Sequence, residues 1–173
     1  MQAGVRRGSY VPLGIIVGLV VLAADQASKW WVLNVLDLPE VRQVVLLPVL
    51  NLTWVQNTGV TFGMLNGLGA WGHVVLAAVS LAVVAALGVW LRRAENAIVG
   101  TAIGAIAGGA IGNVIDRLRF GWVVDFIHAH VNTPWGDLSW YVFNVADAAI
   151  VCGVAALIIE SQFLRRRHQT NSA

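Results

Sequence analysis

Four aspartates stand in or beside apolar runs: Asp25 in LVVLAADQASKWW, Asp116 in GNVIDRL, Asp125 in GWVVDFI and Asp147 in FNVADAAIV. Charge in such a setting is expensive, so each is a functional candidate by default. Two carboxyls held close in a poorly hydrated site cannot both ionise; they share one proton and their pKa values split. The ionised member can activate a water as general base. The protonated member can polarise a carbonyl and then protonate a leaving amine. That is peptide hydrolysis with no cofactor and no metal. The same residues would also suit a proton or ion relay, or structural pairing with nearby cations. The pattern alone leaves all three readings open.

The elements that must position these acids follow from composition. The chain has 173 residues, 58% of them hydrophobic and only 12% charged, against a usual charged share of about 25%. Mean hydropathy is +0.73. From Gln43 to Leu91 there is no Lys, Arg, Asp or Glu. That excludes a disordered chain and argues against an ordinary soluble domain. Cys152 is the only cysteine, so no disulfide framework exists. Four segments, about 11–33, 68–91, 96–117 and 140–163, are long and apolar enough to cross a bilayer of about 30 Å. Between them lie a link at about 34–67, rich in β-branched residues and read as strands, and a second, polar link at about 118–139 read as a loop. The expected fold is an all-α membrane protein of one domain over 1–173, with a small β-rich platform and a second outer loop. Open strand edges cannot sit in lipid, so the platform belongs at the interface. There Trp54, Trp122, Trp135 and Trp140 fit an aromatic belt.

Basic residues orient the spans. Arg6, Arg7, Arg92, Arg93, Arg165, Arg166 and Arg167 make seven of the eleven Lys and Arg, all at one end of the spans. Both termini and the turn at 92–95 are therefore expected in the cytoplasm, with the two links outside. Their clustering at segment ends is a topology signal and argues against nucleic acid as a partner. The first span has a basic start like a signal peptide, but Asp25 and Lys29 interrupt the cleavage region, so it is expected to stay. At 1.5 Å per residue, Asp25 rises roughly 21 Å along the first span and Asp116 roughly 30 Å along the third, while Asp147 lies about 9 Å below the outer surface. With Asp125, all four acids converge at the outer edge of the bilayer.

Further motifs accompany them: Asn57-Thr58-Gly59-Val60-Thr61-Phe62-Gly63, Gly112-Asn113-Val114-Ile115-Asp116-Arg117, Val123-Val124-Asp125-Phe126 and Phe143-Asn144-Val145-Ala146-Asp147. Together with Asp25 and Lys29, in this order and topology, they make the chain resemble the prolipoprotein signal peptidase (signal peptidase II) family over nearly its whole length. The resemblance implies an aspartic endopeptidase of the bacterial inner membrane. Such an enzyme removes the signal peptide from diacylglyceryl-modified prolipoproteins, on the N-terminal side of the lipidated cysteine. It implies Asp125 and Asp147 as the catalytic pair. It implies Asp25, Lys29, Asn57, Gly59, Phe62, Gly63, Asn113, Asp116, Arg117 and Asn144 as residues that support the site or hold substrate. Prolipoprotein and membrane lipid are the implied partners, and a monomer is expected.

Simpler roles compete at several positions. Asp25 and Lys29 are spaced i, i+4 and could only pair with each other. Asp116 could pair with the adjacent Arg117 or cap the helix. Asn113 and Asn144 could orient the carboxylates or satisfy interhelical polar groups. Gly100, Gly104, Gly108 and Gly112 recur every fourth residue and would let a sister helix approach closely. His128 and His130 are too few for a metal site and read as an interfacial rim. Cys152 reads as a small packed residue. A translocator would want a polar path inward, but the inner halves of the spans are almost wholly apolar, apart from Ser80 and Glu160. A non-enzymatic lipid-binding scaffold would tolerate Asp→Asn at 125 or 147.

Overall fold

A computed structural model describes residues 9–59, 71–134, 136–139 and 141–170. Its elements in chain order are α1 (Val11–Asn34), α2 (Leu38–Val41), β1 (Gln43–Leu47), β2 (Leu50–Asn57), α3 (Gly72–Leu91), α4 (Ala97–Phe120), β3 (Val123–Thr133), β4 (Gly136–Ser139) and α5 (Val145–Thr170). Four helices are long and apolar enough to cross a membrane: α1, α3, α4 and α5, the last over Val145–Phe163. Among them α4 is central. Some 61% of its apolar window is buried, against 6–11% for the others, whose outer faces are left for lipid.

The glycines of α4 explain that centrality. A Cβ on Gly104 would run into the Gly14 carbonyl of α1, and one on Gly108 into that of Gly18. Backbone thus packs on backbone, the expected device where lipid supplies no hydrophobic drive between helices. The ends of α4 are set by local chemistry. Asn96 is extended (φ −149°) and accepts from the Val99 amide at 2.9 Å as N-cap. Gly121, at φ +83°, ends the helix in the left-handed region that glycine adopts freely.

The strands form one antiparallel sheet in the order β1-β2-β3-β4. β3 pairs with β2 through its first part, where Asp125 faces Val55, and with β4 through its last part. The stretch 118–139 is therefore no loop: α4 runs on to Phe120 and most of the rest is strand. The reason lies in Val124 and Phe126, which are buried with Val32, Leu38 and Leu52 in one small core, and in Val123, which is buried beside them in the chain. Trp54 meets Trp122 edge to face at 5.2 Å, and Phe120 stacks on Trp122 at the same distance. Trp135 and Trp140 lie outside the described residues. Cys152 is exposed on the bundle surface rather than packed, since the neighbouring Gly153 takes the close contact with α4.

Candidate active site

The site is built where the C-terminal halves of α1 and α4 and the first turn of α5 meet β2 and β3. Asn144 and Asp147 open α5 as a reciprocal capping box. The Asp147 amide donates to Asn144 Oδ1 at 2.9 Å, and the Asn144 amide donates to Asp147 Oδ2 at 3.3 Å. A third free amide of that first turn, on Ala146, donates to Asp25 Oδ1 of α1 at 3.0 Å. The motif FNVAD thus fixes the start of a helix and the direction of a carboxylate together.

Two asparagines join the acids. Asn144 Nδ2 donates to Asp125 Oδ1 at 2.7 Å and to Asn113 Oδ1 at 3.2 Å. Asn113 Nδ2 donates to Asp147 Oδ1 at 2.8 Å. The other oxygen of Asp125 accepts from Asn57 Nδ2 at 2.9 Å. Asn57 Oδ1 meanwhile accepts from the Gly59 amide at 2.8 Å in a tight turn where Gly59 has φ +73°. Asn144 and Asp125 are almost fully buried. Burial, helped by the nearby negative charge of Asp147, pushes the Asp125 carboxyl up from 3.8 to about 6; the Asn57 and Asn144 donors and Lys29 oppose this.

Behind the pair lies an ion cluster. Lys29 Nζ is 2.9 Å from Asp25 Oδ2, 2.8 Å from Asp116 Oδ2 and 3.1 Å from Asn113 Oδ1. An ammonium has three protons, and here each has an acceptor. The Asn113 amide cannot be reversed without turning its NH2 towards the ammonium, so Lys29 aims the Asn113 donor at Asp147. Asp25 and Lys29 do pair along α1, but not only with each other. Asp116 pairs with Lys29 rather than with the adjacent Arg117, because neighbours on a helix point apart. Its Oδ2 also accepts from the Val124 amide at 3.1 Å, which ties α4 to β3.

Arg117 turns the other way. It donates from Nη1 to the Asn113 carbonyl at 3.3 Å, and its buried Nε has no partner among the described residues. A Cβ on Gly59 would come within 3.8 Å of Arg117 Nη2. Gly112 is where the Asp25 carboxylate comes so close to α4 that a Cβ would clash with it. Phe62 and Gly63 lie outside the described residues. His128 and His130 stay on the sheet, near Thr53, Ser139 and Asn51. No group of three metal-binding side chains occurs among the described residues.

One contributor escaped the sequence reading. Gln26 Nε2 donates to Asp25 Oδ2 at 3.2 Å, to Asp116 Oδ1 at 3.1 Å and to the Gly112 carbonyl at 3.3 Å. Its signal was available: an amide beside an acid inside an apolar span.

Comparisons with known proteins show which family the chain resembles. The family model described as signal peptidase (SPase) II matches residues 17–163. The lipoprotein signal peptidase of Methylorubrum extorquens (strain PA1) is 49% identical over 148 residues, covering 86% of this chain and 84% of its own. That of Rhodopseudomonas palustris (strain ATCC BAA-98 / CGA009) is 41% identical over 151 residues, covering 87% and 92%. A bacterial membrane enzyme solved by the in meso method at 1.9 Å superposes with a TM-score of 0.75 at 26% identity, over 90% of this chain and 96% of that one. With most of its length matched in model, sequence and fold, the chain belongs to the signal peptidase II family, the membrane proteases of lipoprotein processing.

Proposed function

We propose that Asp125 and Asp147 are the catalytic pair with which this chain removes signal peptides from prolipoproteins. The family works by an aspartic mechanism; the proposal concerns the residues. The observation that carries it is the bridge of two amides: Asn144 donates to Asp125, Asn113 donates to Asp147, and Asn144 donates to Asn113. One hydrogen-bonded unit orients both carboxyls, and the charge of Asp147 acts on Asp125. One takes a proton from water as the oxygen attacks the scissile carbonyl carbon. The other gives its proton to the carbonyl oxygen, and the leaving nitrogen is protonated as the C–N bond breaks.

Asp25, Lys29, Asp116, Asn113 and Asn144 hold the pair. Asn57, Gly59 and Arg117 face the substrate, and Phe62 and Gly63, which lie outside the described residues, support the site or hold substrate with them. That substrate carries a diacylglyceryl cysteine, and cleavage falls on its N-terminal side. Its lipid tails stay in the outer leaflet and register the scissile bond at the depth of the acids. The chain acts as a monomer and one integral membrane unit over 1–173, in the bacterial inner membrane. Both termini are cytoplasmic, and the sheet and site are extracytoplasmic. The clustering of Arg6, Arg7, Arg92, Arg93 and Arg165 to Arg167 supports that orientation.

The test is cleavage of a purified diacylglyceryl-modified prolipoprotein in detergent by the parent, Asp125→Asn and Asp147→Asn. Loss of cleavage in both variants, with the parent indifferent to a chelator, is expected. Cleavage surviving either change removes that aspartate from the mechanism.

A further inference from the structure

At the end of the bundle far from the candidate site lies a cavity of about 230 Å³ between α3, α4 and α5. Trp90, Arg93, Glu95, Asn96, Leu157 and Glu160 line it. Glu160 is half-buried, and its carboxylate is held by Asn96 Nδ2 at 2.7 Å, on the residue that caps α4. Among the described side chains, which on α5 end at Phe163, neither Glu160 nor Glu95 has a cation within ion-pair distance. Two acids against one arginine stand here at the end that otherwise carries the chain's basic clusters.

The cavity is joined to the site by a surface. α3 and α5 both pack on α4 but form no extensive contact with each other, which leaves a groove between them. Along α5 the residues Asp147, Val151, Val154, Ile158 and Ser161 succeed one another at helical spacing, on one face. Val151, Val154 and Ile158 are exposed, and Ser161 lines the cavity. From Asp147 to Glu160 is 13 residues of α5, roughly 20 Å at the helical rise. A signal peptide has a positively charged n-region followed by an apolar stretch of about 7–15 residues, which as helix spans about 10–22 Å.

We infer that Glu160, with Glu95, receives the basic n-region of the substrate's signal peptide, while its apolar helix lies along α5 and delivers the scissile bond to the acids. Charge complementarity at one end, continuity with the candidate site at the other and the matching length name this occupant rather than a bulk lipid. The inference rests on the orientation and the catalytic pair proposed above. It makes the enzyme a two-point reader of its substrate: charge on the inner side, lipidated cysteine on the outer.

The experiment uses the full chain in phosphatidylcholine vesicles, where the membrane itself carries no net charge to attract a basic segment. Two diacylglyceryl prolipoproteins are compared, one with its n-region Lys and Arg intact and one with them changed to Gln. The enzymes are the parent and Glu95→Gln/Glu160→Gln. Neutralising either side alone is expected to raise KM about fivefold, with little change in kcat, and neutralising both to raise it no further. Glu160→Lys should favour an acidic n-region. A parent whose KM ignores n-region charge overturns the inference without any variant needing to fold, as do effects that simply add. A parent KM that follows n-region charge only when phosphatidylglycerol replaces part of the lipid would assign the effect to the anionic headgroups and also overturn it. If Asp125→Asn still cleaves, the catalytic reading fails instead, and the two failures stay distinct.

Discussion

Asn144 and Asp147 cap one another, side chain to backbone in both directions, at 2.9 and 3.3 Å. The consequence is that one residue, Asn144, starts α5, orients Asp147 and donates to Asp125. Asn144→Ala should cost about 0.5–2 kcal/mol from the lost cap, read as a fall in Tm in detergent. Its kcat should fall by about 10²-fold, more than the stability loss accounts for, because a donor to one carboxyl of the proposed catalytic pair is gone. A variant with lowered Tm and unchanged kcat would make Asn144 a cap and nothing more.

Lys29 holds two buried carboxylates. Lys29→Met should lower stability by about 3–5 kcal/mol, since it leaves Asp25 and Asp116 buried without their cation. Adding Asp116→Asn to that variant should recover part of the loss. Equilibrium unfolding of the three chains in mixed detergent and denaturant measures both steps.

The Asp125 carboxyl, raised from 3.8 to about 6, gives stability a pH dependence. Its folded value lies above the free one, so folding favours the neutral form. That contribution is whole below about 3.8, declines as pH rises towards 6 and is lost above it. Asp125→Asn mimics the neutral carboxyl and should be more stable than the parent above pH 6, by on the order of 2–3 kcal/mol, and no more stable near pH 4. Melting curves of the two chains from pH 4 to 8 decide this.

Gly104 and Gly108 set the distance between α1 and α4. Gly108→Leu should push the helices apart at a cost of about 1–3 kcal/mol. Because α1 carries Asp25 and Lys29, the variant should lose kcat as well as Tm. A Gly108→Leu chain with parental kcat would show that the ion cluster tolerates the displacement.

Much of this was legible in the residues. Hydropathy marked the four spans, and helical rise alone brought Asp25, Asp116 and Asp147 to one depth. The glycine period of α4 announced a close helix partner. What stayed hidden depends on directions that spacing does not encode. Asp116 points to Lys29 and not to Arg117, which only the crossing of α1 over α4 decides. The stretch from Val123 resembled a polar link because its strand partner, β2, lies some 70 residues earlier. Gln26 was overlooked because an amide carries no charge to flag it, although it donates to both acids of the cluster.

The three-way hold on Lys29 also has a meaning in time. α1 is synthesised first, and its ammonium then has Asp25 for company. Asp116 follows 87 residues after Lys29, and Asp147 still later. At about 5–20 residues per second, the second acid of the cluster arrives about 4–17 s after the lysine. Until α5 is made, Asp25 and Asn113 also lack the α5 groups they bond, so the cluster and the proposed catalytic pair close together and last.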